Sequence, residues 1–91
     1  MRNLSTAAEH LAKDLVQIWK AYKLPLKKLE DDTELARISM EGSDAELEYL
    51  IKNGADMEGI KRAELLSAYN HMCYESDILA LKLLREKGYD R

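Results

Sequence analysis

Leu4, Ala8, Leu11, Leu15, Ile18 and Tyr22 follow one another at intervals of four and three residues, the seam of a single amphipathic helix. Ala12 and Trp19 widen that stripe, and Thr6-Ala7-Ala8-Glu9 has the form of a capping box, whose hydroxyl and carboxylate satisfy amides left open at a helix start. Pro25 donates no amide and disfavours helix at Leu24, so this first helix is predicted at 6–22. Leu24, Leu26 and Leu29 surround the proline in a connector, either a turn of helix laid over the core or an extended link. Glu30-Asp31-Asp32 then brings negative charge to the start of a second helix at 33–40, where unpaired amides favour it. Its inward residues are Leu35, Ile38 and Met40. Gly42-Ser43-Asp44 reads as a turn that caps a third helix at 44–52, with Leu47, Leu50 and Ile51 inward. Asn53-Gly54 is a stop, because glycine tolerates the left-handed backbone of a helix end. Met57-Glu58-Gly59 prolongs the loop. A fourth helix at 60–73 offers Ile60, Ala63, Leu66, Tyr69 and Cys73 on one face. Glu75-Ser76-Asp77 breaks the chain before a fifth at 77–87, which is apolar around most of its circumference and so predicted to be the most buried. Gly88 caps it and Tyr89 folds back on its last turn. The pattern predicts an all-α chain of about five helices in antiparallel hairpins, one domain over 1–91.

Composition agrees with that class. At 46% apolar and 34% charged residues the chain has enough of both to bury a core. Its 91 residues hide only about 60–65% of the unfolded surface, which leaves stability modest or completed by a partner. A lone Cys73 forms no internal disulfide, the N-terminal stretch carries charges where a secretory leader needs an apolar run, and no window approaches a membrane span. A cytoplasmic location is expected. The net charge of −3 hides an asymmetry: residues 1–29 carry +4, residues 30–58 carry −8 and residues 59–91 carry +1. Such a dipole steers a partner, and it argues against direct DNA binding.

Thr33-x-Leu35, a glycine at Gly42, and a second helix closing on Leu50-Ile51-x-x-Gly54-Ala55-Asp56 resemble an ankyrin repeat. Glu34 and Ala36 stand where that family carries proline and histidine. A degenerate second copy runs from Ile60 to Asp90, and Gly54 to Gly88 spans 34 residues, close to the family period of about 33. The resemblance implies two stacked hairpins, 33–56 and 57–90, with residues 1–29 as an N-terminal cap and connector. It also implies that loop tips and first-helix faces meet a partner protein: Asp31, Asp32, Arg37 and Glu41 in one unit, Glu58, Lys61 and Arg62 in the next. An unrelated five-helix bundle shares the same spacing and glycine stops.

The chemistry-bearing residues are few. His10, His71 and Cys73 are the soft metal ligands, too few and wrongly spaced for structural zinc. Cys73 or a serine beside His71 lacks the glycine-rich elbow or anion-binding loop of a nucleophilic site. No enzyme, cofactor or metal is expected. A helix-turn-helix over 60–87, with Lys61 and Arg62 leading, would commit the apolar stretch DILALKLLREKG to a DNA groove. The acidic run through Asp31, Asp32 and Glu41 reads as a docking surface for a partner protein, or as a mimic of nucleic-acid charge of the kind carried by small inhibitors of phages and mobile elements. Trp19 and Tyr22 beside Lys20 and Lys23 are a second contact candidate, and the first helix's seam offers a route to a homodimer.

Overall fold

The computed structural model describes residues 4–91, with side-chain surroundings from Thr6 onward; Leu4's place on the first helix's seam lies outside those side chains. The chain is all-α, and its helix count corrects the sequence reading: the described residues form three helices, not about five. They are α1 (Leu4–Tyr22), α2 (Leu26–Lys52) and α3 (Met57–Glu86).

The helix ends follow the local signals. α1 closes with Lys23 at φ 52°, and Pro25 in extended backbone is the residue from which α2 starts, so the Leu26–Leu29 stretch is helical. α2 ends where Asn53 and Gly54 turn, Gly54 at φ 69°. Asp56 accepts the amide of Gly59 at 3.0 Å and starts α3 at once, which leaves Met57-Glu58-Gly59 inside the helix instead of the loop. Gly88, at φ 73°, closes α3 and returns Tyr89 onto the bundle.

The two interior breaks are absent. Glu41-Gly42-Ser43 and Glu75-Ser76-Asp77 lie inside α2 and α3, so residues 33–52 form no pair of short helices. The cause is a seam that runs straight through each position. Leu29, Thr33, Ala36, Met40, Ser43, Leu47 and Leu50 keep intervals of four and three, and each is buried or half-buried. Ile60, Ala63, Ser67, Asn70, Tyr74, Asp77, Leu81 and Leu84 do the same on α3. The hydroxyls of Ser43 and Ser76 donate to the carbonyls of Met40 and Cys73, both at 2.9 Å, which satisfies them without opening the helix.

α2 runs antiparallel to α3, since Asn70 Nδ2 donates to Ser39 O, Asp44 meets Ser67, and Glu30 pairs with Arg85 at 3.4 Å. α1 lies parallel to α3: Ala12 and Lys13 share a groove with Leu79 and Lys82, and Val16 and Gln17 with Leu83 and Lys87. Among the described residues, the α1 and α2 backbones each approach α3 and not each other. The core sits at one end, where Ala12, Val16, Trp19, Leu29, Ala80, Leu81 and Leu84 meet. Trp19 Nε1 donates to Pro25 O at 3.2 Å, and the Tyr89 hydroxyl bonds the carbonyls of Trp19 and Leu24. α1's buried face is therefore Ala8, Ala12, Val16 and Trp19, while Leu11, Ile18 and Tyr22 of its expected seam stay exposed. The far half of the α2–α3 hairpin has no third helix, and only Ser43, Ala63 and Ser67 are buried there. The outcome is an elongated body of 49 × 27 × 18 Å.

Gly42→Ala tests the continuity of α2. A Cβ there meets nothing within 4 Å, and alanine is favoured over glycine inside a helix by about 1 kcal/mol. Thermal unfolding should rise by about 4–8 °C; an unchanged or lower midpoint would restore the turn. Leu84→Ala, at a fully buried site, should cost about 2–5 kcal/mol in urea titration.

Candidate interaction surface

A polar clasp joins the middle of α2 to the middle of α3. Asp44 accepts from the Ser67 hydroxyl and lies 2.9 Å and 3.0 Å from His71 Nε2 through its two oxygens. Those contacts, the serine bond first, hold the Asp44 carboxyl below the usual carboxylate range. Serine, histidine and aspartate stand together here, but not in the order of an acyl-transfer triad: the carboxylate sits between the other two, so the imidazole does not face the Ser67 oxygen. The arrangement fastens two helices. No group of three or more metal-ligating side chains occurs among the described residues.

The acidic run resolves into a ladder of pairs along α2. Lys27 holds Asp31 at 2.8 Å, Lys28 holds Asp32 at 3.3 Å, and Lys52 approaches Glu48 at 3.9 Å. Arg37 lies between Glu34 and Glu41, with its Nη1 2.8 Å from Glu41 Oε1. Hydrogen bonds to those two carboxylates raise the Arg37 guanidinium, and Arg37 in turn lowers Glu34. Asp31, Asp32, Arg37 and Glu41 thus lie on one helix but on different sides of it, with Asp31 and Glu41 exposed and Asp32 and Arg37 half-buried. Glu58, Lys61 and Arg62 lie apart from them, exposed in the first turns of α3. There Arg62 lines a shallow groove with Glu46, Leu50, Gly59 and Leu66. Trp19 is buried at 6% exposure and offers no contact surface, whereas Tyr22 is exposed. Residues 60–86 are continuous helix, so no helix-turn-helix forms at Glu75-Ser76-Asp77.

The sequence reading overlooked a second apolar seam on α2. Leu35, Ile38, Gly42, Ala45 and Tyr49 keep intervals of three and four, on the side of the helix turned away from the buried seam. Leu35 is 63% exposed, Ile38 53% and Tyr49 64%. Leu35 and Ile38, expected inward, face outward. Intervals measured across Gly42, instead of up to it, would have exposed both seams. On α3, Leu65, Leu66 and Tyr69 are likewise exposed, beyond the reach of α1. No helix among the described residues is long and apolar enough to cross a membrane. Compared with known proteins, the chain matches no family model, no curated protein and no solved structure.

One carboxylate works against the fold. Asp77, half-buried on the α3 seam, is pushed up to about 6, first by burial and then by the charge of Asp32 on α2. A folded-state value above the unfolded one means that the protonated form is favoured by folding. The penalty is therefore complete above about pH 6 and fades as the pH falls toward 4. Asp77→Asn should stabilise the chain at pH 7.5, with an advantage that shrinks steadily toward pH 4 in paired thermal melts; an equal effect at both ends would refute the assignment.

Proposed function

We propose that this chain is a non-enzymatic protein-interaction module that works through the far half of the α2–α3 hairpin. The observation that carries this reading is the large apolar side chains left without a cover on two faces of that hairpin, from its middle outward: Leu35, Ile38 and Tyr49 on α2, Leu65, Leu66 and Tyr69 on α3, all exposed. Exposed apolar patches that large on a small monomer mark contact sites. Around them the carboxylates of α2 supply an acidic border that selects against acidic partners. Charge mimicry of nucleic acid draws less support, because Lys27, Lys28 and Arg37 already neutralise much of the acidic run.

Affinity capture from the cells that make the protein tests the reading. The wild-type chain should retain a discrete protein that a chain carrying both Ile38→Glu and Leu66→Glu loses, with circular dichroism confirming that both are folded. Equal recovery by the two chains, or recovery of nucleic acid alone, would remove it.

A further inference from the structure

We infer that the outer seam of α2 is a docking track for one amphipathic helix of a partner protein, a helix with apolar residues at heptad spacing flanked by lysine or arginine. The inference rests on the interaction-module reading and names its site and its ligand. Leu35, Ile38, Gly42, Ala45 and Tyr49 form a stripe about 21 Å long, the length over which a docked helix makes four turns of contact. A surface helix that packs on one neighbour has no structural use for a second seam. This one is exposed along its whole length.

Gly42 stands at its centre. A Cβ built there meets nothing within 4 Å, and the glycine sits in a helix interior that alanine would stabilise. The fold itself gains nothing from that glycine. Its removal of a side chain at the midpoint of the seam lets a second helix come closer there than at either end.

The borders of the seam identify the occupant. One edge carries Glu34, Glu41 and Glu48, seven residues apart, and the other carries Asp32, Ser39 and Glu46 at the same interval. In paired helices the residues bordering the seam face those bordering the partner's seam and set partner choice by charge. A second copy of this chain would bring glutamates against glutamates, whether parallel or antiparallel. Arg37, Lys28 and Lys52 offset three of the five carboxylates, and Glu46 has no ion pair among the described residues. The borders remain net negative, which fits a helix with basic borders and disfavours a homodimer.

Two synthetic peptides of about three heptads, identical in their leucine–alanine seam and differing only in lysine or glutamate borders, test the proposal by fluorescence anisotropy with the intact protein. The lysine peptide should bind and the glutamate peptide should not. Ile38→Glu or Gly42→Leu should weaken binding at least about tenfold, Leu65→Glu on α3 should leave it unchanged, and raising salt to about 0.5 M should weaken it several-fold. Equal binding of both peptides, binding of neither, or indifference to Ile38→Glu would overturn the assignment. So would light scattering that shows a dimer dissolved by Ile38→Glu, since the seam would then belong to a second copy. Native capture separates the two levels: a partner lost with Leu66→Glu alone but kept with Ile38→Glu alone leaves the module standing and removes the α2 track.

Discussion

α3 carries two faces at once, and the rest of the molecule depends on keeping them in register over 30 residues. One seam, from Ile60 to Leu84, meets α2. A second, through Leu79, Ala80 and Leu83, meets α1. Because α1 and α2 do not lie against each other, any bend at Glu75-Ser76-Asp77 would turn one seam away from its partner. Continuity there is held by small residues, Ser76 and Ala80, that let α1 come close, and by a serine hydroxyl that finds its acceptor within the same helix.

The stabilising surface is distributed unevenly as a result. Large side chains meet where three helices converge, and Leu29 and Leu84 are sealed from solvent. Farther along, the hairpin is joined by polar groups: the Asp44 clasp and Asn70 to Ser39. Hydrogen bonds of that kind fix register well but contribute modestly to stability. A far end held by polar contacts leaves its large apolar residues available, and on α2 they line up.

Capping chemistry was legible in the sequence, since Pro25, Asn53-Gly54 and Gly88 act on the backbone locally and stop helices wherever they stand. Turns inside α2 and α3 were misread because the seam residues there are polar or small. Ser43, Ser67, Asn70 and Asp77 look like loop residues one at a time, and only their spacing over seven turns shows that they face a neighbouring helix. α1 was rotated in the reading for a related reason: Leu11, Ile18 and Tyr22 dominated the pattern by size, while alanines at 8 and 12, which permit the closest approach to α3, carry little hydrophobic signal. The same bias hid the outer seam of α2, whose centre is a glycine. Of the contact residues chosen from sequence, none of the charged ones is buried, because they ionise, though Asp32 and Arg37 are half-covered; Trp19 is buried, because its ring fills the core and its indole N–H finds a carbonyl.

The Tyr89 hydroxyl reaches the carbonyls of Trp19 and Leu24, 70 and 65 residues away along the chain, and Leu26 donates its amide to Arg91 O at 2.7 Å. Those bonds knot the α1–α2 link to the segment that follows α3. The hairpin closes through a four-residue turn and needs none of them, so the loop entropy for its assembly is small. α1 must wait for nearly the whole chain before its last contacts exist. The contacts thus differ in the loops they close: those of the hairpin join near neighbours, and those of α1 join the two ends of the described chain.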